Sequence, residues 1–319
     1  MVYHFVLNPM SGKNYKKAQK SVKAITDKIR SACQKRQLSY RIYYTTSVGD
    51  ATEYVRSMVN STQDRQRFIC VGGDGTINEI VNSSPCNPNV EFGVIPYGSG
   101  NDFVRNFTNT ELFRNIDAQI DGETVSLDLI KLNDSYCANM INIGFDCSVV
   151  KIATKIKKMR LSPPGFSYAT GVIVALFRKY GTQMKITFDD GEVIDSKLLL
   201  TAIGNGRFCG GGFNSLPKAF LNDGLMDIVI IKKVSRFTFI SLVNSYKKGT
   251  YVNKERALKY ITYKRVPHFK MEFDAPIPIC VDGDIKGAKN IDFSVVRDGF
   301  NFVIPKGSAM KFNTKKSKS

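Results

Sequence analysis

The sequence predicts an α/β protein with a wound N-terminal domain followed by a mostly-β, sandwich-like C-terminal domain. Up to about residue 130, short β-branched or aromatic runs alternate with helical patterns, which is typical of a wound sheet. Beyond that point the strand-like runs lengthen, and turn signals such as Asp189-Asp190-Gly191 separate them. A chain of 319 residues is also long enough for two cores. We therefore predict one domain at residues 1–130, which residues 298–319 could rejoin, and a second at residues 131–297.

The first domain is predicted from alternating strand and helix patterns. Val22, Ile25 and Ile29 recur at helical spacing, for example, and indicate an amphipathic helix. The predicted strands are residues 2–7, 40–44, 68–71 and 92–95. The predicted helices are residues 15–36, residues 50–59 and a helix that starts within residues 76–81.

The second domain is predicted to be mostly β with helical interruptions. The predicted strands are residues 136–143, 184–188, 197–203, 226–231 and 269–273. Helical patterns near residues 148–158, 166–180 and 237–248 argue against a pure sandwich. The apolar helix at residues 166–177 suits either core packing or an acyl-chain cleft at a membrane surface.

Cysteine and histidine usage excludes several kinds of site. The seven cysteines form no C-x-x-C pair and show no tight, even spacing, which argues against a disulfide framework and a zinc site and favours a reducing cytoplasm. His4 and His268 are the only histidines, so a Ser-His-Asp triad is poorly supported. Catalysis is therefore expected to use carboxylates.

The charge balance predicts an anionic partner. Lysine and arginine number 46 against 28 aspartate and glutamate residues, a formal net charge of +18, which creates a strong positive field. We expect neither a signal peptide nor a membrane span, because Pro163 and Pro164 interrupt the longest uncharged stretch, residues 161–177. The partner could be nucleotide, an anionic membrane or nucleic acid.

Two familiar phosphate-binding motifs fail in this sequence. A P-loop needs G-x-x-x-x-G-K-[ST], but Leu7 stands five residues before Gly12 and Asn14 occupies the Ser/Thr position. Residues 98–103 begin like a dinucleotide fingerprint, yet Phe103 stands where close helix packing needs glycine.

A glycine-rich turn after the third predicted strand remains as the strongest phosphate signal. The segment reads Gly72-Gly73-Asp74-Gly75-Thr76 and precedes a helix. Glycines at such a turn let backbone N–H groups approach a phosphate, and the helix N-terminus favours an anion. Asp74 would repel a bare phosphate, so it indicates a bound cation or a positioned hydrogen-bond network between carboxylate and phosphate, and a magnesium ion would resolve the conflict.

Together with this turn, a series of motifs resembles the bacterial diacylglycerol kinase and sphingosine kinase-like lipid kinases along nearly the whole chain. In chain order the motifs are Asn8-Pro9-Met10-Ser11-Gly12-Lys13, Thr45 with Gly49-Asp50-Ala51, Gly72-Gly73-Asp74-Gly75-Thr76 with Asn78-Glu79, Pro96-Tyr97-Gly98-Ser99-Gly100-Asn101-Asp102-Phe103, Gly210-Gly211-Gly212, Pro217-Lys218-Ala219, Asp223-Gly224-Leu225 and Asp282-Gly283-Asp284. The resemblance implies an NAD kinase/diacylglycerol kinase-like fold, with a nucleotide-binding first domain and a lipid-substrate second domain. It also implies transfer of the γ-phosphate of ATP to a lipid hydroxyl, with diacylglycerol as the expected acceptor.

The resemblance further implies the residues that bind ATP and magnesium. The expected ATP contacts are Asn8, Pro9, Met10, Ser11, Gly12, Lys13, Thr45, Gly72, Gly73, Asp74, Gly75, Thr76, Asn78, Glu79 and Ser99. Ser99 replaces the threonine of many relatives and keeps the hydroxyl. Magnesium is expected at the Asp223 carboxylate and the backbone carbonyls of Phe220 and Leu225. Without the other motifs, Asn222-Asp223-Gly224 would be interpreted as a type I′ turn.

The resemblance places the catalytic base at Asp284, where relatives usually have glutamate. Aspartate is one methylene shorter, a loss of roughly 1.5 Å in reach, whereas a base must come within about 2.6–3.2 Å of the proton it accepts. Asp282 is the reserve candidate, and a catalytically impaired protein is the alternative. Asp128 interrupts an apolar strand pattern and is expected to be paired, because a buried lone carboxylate is costly.

Three other functions compete with the lipid kinase interpretation. NAD kinase shares the G-G-D-G turn, although residues 95–102 follow the lipid kinase pattern. A non-enzymatic lipid- or nucleotide-binding relative is motivated by Asp284. Nucleic-acid binding is supported by charge alone, since aromatic residues do not alternate with the basic clusters, and is not expected. The expected partners are a membrane lipid and the anionic inner face of a membrane, which the protein reaches peripherally from the cytoplasm. A homodimer is a further candidate assembly.

Overall fold

The computed structural model describes residues 1–9, 15–98, 100–144 and 181–312, with side chains from residue 22 onward in the first helix. Up to Gly144 the strands are β1 (Val2–Leu7), β2 (Tyr40–Tyr44), β3 (Gln66–Gly72), β4 (Val90–Pro96), β5 (Glu123–Leu132), β6 (Ser135–Cys137) and β7 (Met140–Gly144). From Gly181 they are β8 (Thr182–Phe188), β9 (Val193–Gly204), β10 (Phe208–Cys209), β11 (Phe213–Asn214), β12 (Met226–Lys232), β13 (Ile261–Val266), β14 (His268–Val281) and β15 (Asp284–Ile304). The α-helices are α1 (Tyr15–Lys35), α2 (Asp50–Ser61), α3 (Asp74–Ser83), α4 (Ile116–Ile120), α5 (Arg236–Lys248) and α6 (Glu255–Leu258).

The chain divides into two compact units. Unit 1 contains Met1–Leu129, Leu221–Asp223 and Val296–Ser319, and unit 2 contains Ile130–Phe220 and Gly224–Val295. Unit 1 therefore takes two segments from beyond residue 220 in addition to the N-terminal part of the chain.

Unit 1 contains a parallel sheet in the order β2-β1-β3-β4, extended by the last part of β15. β1 lies between β2 and β3, so the chain order reverses at β1, and the carboxyl ends of β1 and β3 flank that reversal. Ile25 and Ile29 of α1 and Ile116 of α4 pack with Phe5 of β1 in one buried cluster. Ligands of open α/β sheets bind in the crevice at such a switch point.

Unit 2 is built from antiparallel strands. The order is β13-β12-β9-β7-β14-β15, and β8 pairs with both β9 and β14. Alternate residues of these strands form a buried core that includes Met184, Ile228 and Phe269. A second buried cluster receives one side of α5 through Tyr246.

The predicted fold class is confirmed, and most predicted elements have their predicted type. The single strand predicted at residues 136–143 is wrong, because a bend at Ala138 and Asn139 divides it into β6 and β7. The interpretation of Asn222-Asp223-Gly224 as a type I′ turn is also excluded, since only Gly224 has a positive φ. The helices predicted near residues 148–158 and 166–180 lie outside the described residues.

Candidate functional site

Two glycine-containing loops meet at the carboxyl end of the parallel sheet. The Tyr97 and Gly98 N–H groups both donate to the Gly72 carbonyl, at 2.8 and 3.2 Å. A Cβ on Gly98 would lie 2.5 Å from the Gly73 Cα, closer than a side chain can come. The loops after β3 and β4 therefore pack backbone against backbone.

The loop after β3 turns directly into α3. α3 begins at Asp74, and the Gly73 carbonyl accepts from the N–H groups of Thr76 and Ile77, at 3.0 and 3.2 Å. A helix N-terminus carries a partial positive charge and favours a bound anion. The turn predicted from the sequence therefore leads directly into a helix N-terminus.

The carboxylates of Asp74 and Asp102 both lie against Gly100. A Cβ on Gly100 would lie 2.9 Å from Asp74 Oδ2 and 3.2 Å from Asp102 Oδ2. The Phe103 N–H donates to Asp74 Oδ1 at 3.3 Å, and Arg105 Nε lies 3.2 Å from Asp102 Oδ1. The Asp74 carboxylate therefore links the two loops, and its role beside a cation or a phosphate stays a prediction.

The loop after β1 lies at the other side of the switch point. The Asn8 N–H donates to the Val71 carbonyl at 3.1 Å, which holds the end of β1 beside the end of β3. Thr45 follows β2 and is buried, with its N–H 2.9 Å and its hydroxyl 3.4 Å from the Leu7 carbonyl. The Thr45 hydroxyl therefore binds the main chain at the edge of the same crevice.

An open cavity of about 350 Å³ lies beside the ends of β1 and β2. Its lining residues are Pro9, Val22, Lys23, Thr26, Asp27, Arg30 and Tyr44. The Tyr44 and Thr26 hydroxyl oxygens are 2.8 Å apart and close one wall. A cavity of this volume falls within the range of about 300–1,000 Å³ that small-molecule sites occupy.

The remaining predicted ATP contacts divide into two groups. Gly75 and the buried Asn78 lie in α3, and the Glu79 carbonyl accepts from the Thr52 hydroxyl of α2 at 3.0 Å. The other predicted contacts lie outside the described residues, namely Met10, Ser11, Gly12, Lys13 and Ser99.

The predicted metal-binding segment enters unit 1 at Leu221–Asp223. The Asp128 N–H donates to the Leu221 carbonyl at 2.9 Å, and the buried Asp128 carboxylate accepts from the Asp298 N–H at 3.0 Å. The predicted pairing of Asp128 is thus confirmed. Phe220 and Leu225 belong to unit 2, where the guanidinium groups of Arg207 and Arg265 lie 5.3 and 5.5 Å from the Phe220 ring centre.

The carboxylates around these loops form a sparse donor set. Within the described ranges, no group of three or more histidine, cysteine, aspartate or glutamate side chains could hold a metal ion. Magnesium is commonly bound by only one or two carboxylates together with water and substrate phosphates. Asp223, which is half-buried in unit 1, is one such carboxylate.

Asp282 and Asp284 flank Gly283 in the hairpin between β14 and β15. Asp282 and Gly283 have φ angles of 46° and 96°, and Val281 pairs with Asp284, so the two-residue turn is of the type I′ kind. The Asp282 carboxylate is buried and accepts N–H groups from Ala138, Asn139 and Met140 at 2.8, 3.0 and 2.9 Å. Both carboxylate oxygens of Asp282 accept hydrogen bonds from the main chain, which argues against Asp282 as the alternative catalytic base.

Asp284 has a different environment from its neighbour. Solvent reaches the residue, but the surrounding protein partly desolvates the carboxyl group and raises its pKa. The negative charge of Asp282 also raises the pKa, and Lys286 opposes the shift. A carboxylate that is accessible and has a raised pKa is suited to accept a proton.

Sequence reasoning missed the structural roles of Asn101 and Asp282. Asn101 has a φ of 50°, and its side-chain amide donates to the Gly98 carbonyl at 3.0 Å, which shapes the loop after β4. Asparagine between glycine and aspartate is a signal for a left-handed turn residue. No local pattern indicates that the main chain of residues 138–140 surrounds Asp282.

No helix in the described part of the chain has both the length and the apolar character needed to cross a bilayer.

Comparison with known proteins agrees with this architecture. Residues 2–132 match the diacylglycerol kinase catalytic domain, and residues 139–303 match the YegS C-terminal NAD kinase beta sandwich-like domain. A crystal structure of a putative diacylglycerol kinase from Bacillus anthracis superposes with a TM-score of 0.71 at 20% identity, covering 95% of this chain and 97% of that one. The fold is thus that of the diacylglycerol kinase and NAD kinase class.

Relatives found by sequence identify the family within this class of folds. The chain is 26% identical to a diacylglycerol kinase of Staphylococcus carnosus over 94% of both chains. It is 28% identical to a probable lipid kinase YegS-like protein of Shewanella frigidimarina, over 75% of this chain and 76% of the relative. The protein belongs to the family of diacylglycerol kinases and YegS-like lipid kinases, and it is a lipid kinase. The family predicted from the motifs is therefore confirmed.

Proposed function

We propose that the protein transfers the γ-phosphate of ATP, in the presence of Mg²⁺, to the primary hydroxyl of diacylglycerol, giving phosphatidic acid. The observation that carries the proposal is the pair of glycine loops after β3 and β4, packed against each other where α3 begins. Backbone N–H groups and a helix N-terminus at a sheet switch point favour the phosphates of a nucleotide. The cavity beside β1 and β2 offers space for the nucleoside portion.

The proposed chemistry is a single displacement at phosphorus. The Asp284 carboxylate accepts the proton of the acceptor hydroxyl, the resulting oxygen forms a bond to the γ-phosphorus, and the bond to the β–γ bridging oxygen breaks, so that ADP leaves. Phosphoryl transfer is catalysed largely by positioning and by neutralising charge. Mg²⁺, when bound at Asp223 and neighbouring carbonyls, would neutralise phosphate charge.

The lipid acceptor implies work at a membrane surface. We propose that the protein associates peripherally with the inner face of the cytoplasmic membrane. The formal net charge of +18 supports attraction to anionic lipids. Relatives named diacylglycerol kinase and probable lipid kinase support the acceptor class.

A transfer assay tests the activity. Purified protein is incubated with Mg²⁺ and ATP labelled at the γ-phosphate, with diacylglycerol, a sphingoid base or a glycolipid in mixed micelles, and with NAD in a parallel reaction. We expect label in phosphatidic acid and none when Mg²⁺ is chelated. Absence of label from every lipid would contradict the proposal, and label in NAD alone would identify an NAD kinase.

Substitutions of Asp284 test the proposed base. Asp284→Asn cannot accept the proton and is expected to lower kcat by about 10²–10⁴-fold, while Asp284→Glu restores the reach that aspartate lacks. Because the Asp284 pKa is raised, wild-type activity should fall with decreasing pH while ordinary carboxyl groups are still ionised. Wild-type kcat in Asp284→Asn would exclude the role. Activity only in Asp284→Glu would instead identify an impaired relative.

A further inference from the structure

Helix α5 has an apolar outer side in addition to the side that packs into unit 2. Phe239, Leu242 and Tyr246 face the buried cluster. Phe237 and Ile240 face outward and are 87% and 58% exposed. An exposed aromatic ring next to an exposed branched aliphatic side chain indicates an interaction surface, because large apolar groups are costly to leave in water.

The outward residues form one stripe along α5. An α-helix turns once in about 3.6 residues, so residues three, four, seven and eleven positions apart lie on one side. The stripe contains Phe237, Ile240, Ser241, Asn244, Lys247 and Lys248, all of them exposed. It begins with the apolar pair and ends with two lysines.

All charged side chains in the surrounding segment are basic. Between Ile228 and Lys254 the sequence has no aspartate or glutamate, and it contains five lysines and one arginine. Lys232 and Lys233 precede α5 and are exposed. Across the described residues, neither they nor Lys247 and Lys248 form an ion pair with a carboxylate. Lys247 Nζ instead lies 5.4 Å from the Phe213 ring centre, a contact that leaves its charge unneutralised.

We propose that the outer side of α5, together with Lys232 and Lys233, is a docking surface for a bilayer of anionic phospholipid. A helix with aromatic and aliphatic residues outward and lysines around them binds in the plane of the headgroups, where apolar side chains enter the acyl boundary and basic ones meet lipid phosphates. The absence of acidic residues from this segment matches an anionic partner and opposes a mixed-charge protein surface.

The inference rests on the proposed function, because docking would give the kinase access to its lipid acceptor. The docking itself is a binding step that needs neither ATP nor the phosphate-binding loops. It is therefore measured separately from activity.

The full chain is sedimented with vesicles of pure phosphatidylcholine and with vesicles that contain phosphatidylglycerol, without nucleotide. We expect binding to the anionic vesicles only. Lys247→Ser combined with Lys248→Ser should weaken that binding roughly 25-fold, since each basic residue near the surface contributes about fivefold. Phe237→Ser combined with Ile240→Ser should weaken it by at least about tenfold.

Matched controls come from the same unit. Val193→Ser removes an apolar side chain that is 51% exposed but follows the acidic segment 189–192. Lys185→Ser combined with Lys270→Ser removes two lysines that pair with Glu272 and Asp292, at 2.7 and 3.5 Å. Both controls should bind anionic vesicles within about twofold of wild type, since these sites lack the combination of exposed apolar groups and unpaired charge.

Three results would overturn the proposal. The first is vesicle binding by both α5 variants at the wild-type level. The second is a loss of binding in the controls equal to that in the α5 variants. The third is a wild-type dimer that Phe237→Ser combined with Ile240→Ser converts to a monomer, because α5 would then be an interface between copies. Circular dichroism confirms that each variant is folded. Phosphorylation of a short-chain diacylglycerol in free solution tests the kinase chemistry alone. If that reaction fails, the vesicle binding still decides whether α5 docks on the membrane.

Discussion

Asp282 and Asp284 are separated by a single glycine, yet the main chain engages only one of them. Three backbone N–H groups bind the Asp282 carboxylate, whereas Asp284 is exposed to solvent. Charge-assisted hydrogen bonds to backbone N–H groups stabilise an ionised carboxylate. The tight turn thus separates a residue that binds the segment between β6 and β7 from a residue that is open to solvent.

We predict that Asp282→Ala lowers the free energy of unfolding by about 3–5 kcal/mol, because it leaves three buried N–H groups without an acceptor. Asp284→Ala should change it by less than about 0.5 kcal/mol. Urea unfolding followed by circular dichroism measures both variants. Equal stability of the two variants would contradict the structural role of Asp282.

The sequence could predict the hairpin at Asp282-Gly283 but not the difference between the two aspartates. Turn chemistry is local, and D-G is a common hairpin signal. The environment of Asp282 depends on Ala138, Asn139 and Met140, which are more than 140 residues away along the chain. The same contact explains why the predicted strand 136–143 is divided, since its central N–H groups bind Asp282 and not a neighbouring strand.

At the scale of elements, the loops after β3 and β4 are held together by hydrogen bonds. Gly72 accepts two N–H groups from the second loop, and Asp74 accepts the Phe103 N–H. These contacts with the loop after β4 fix the position of the α3 N-terminus. Such rigidity lowers the cost of ordering backbone groups around a bound phosphate.

We predict that Gly98→Ala disrupts this arrangement. The new Cβ would stand 2.5 Å from the Gly73 Cα, and overpacking of this kind costs about 1–3 kcal/mol. Affinity for an ATP analogue, measured by titration calorimetry, should fall at least about tenfold. Gly287→Ala is the control, because a Cβ there meets no atom within 4 Å. Wild-type affinity in Gly98→Ala would contradict the prediction.

The elements of unit 1 were largely predictable, because each strand and helix carries its own apolar period. The sequence predicted residues 40–44 as a strand, and β2 occupies Tyr40–Tyr44. The Gly72–Thr76 turn was predictable because it lies at the end of one strand. The contact of Gly98 with Gly73 was not, since it depends on β3 and β4 being neighbours in the sheet.

At the scale of the whole molecule, unit 1 depends on residues from the end of the chain. Phe302 of β15 is fully buried, and its ring centre lies 5.0 Å from that of Phe103 and 5.3 Å from that of Phe107. Phe103 follows the second glycine loop and donates its N–H to Asp74. Aromatic packing by the last strand therefore supports the predicted phosphate site.

We predict that Phe302→Ala lowers the stability of unit 1 by about 3–5 kcal/mol, as large-to-small changes of buried aromatic residues do. Amide hydrogen exchange in β4 should become faster, and mass spectrometry of its peptides measures this. Phe237→Ala is the control, since Phe237 is 87% exposed. Unchanged exchange in Phe302→Ala would show that the aromatic cluster does not hold the sheet.

The final strand also has a consequence for the order in which the protein folds during synthesis. β15 pairs with β14 through its first half and with β4 through Asn301 and Phe302. The ribosome synthesises β1 to β4 first, but residues 296–304, which complete their sheet, follow only after the segments of unit 2. Unit 1 therefore stays partly assembled until β15 has been translated. A message truncated before the codons for residues 296–304 would yield a chain that has both glycine loops and lacks the strand that supports them.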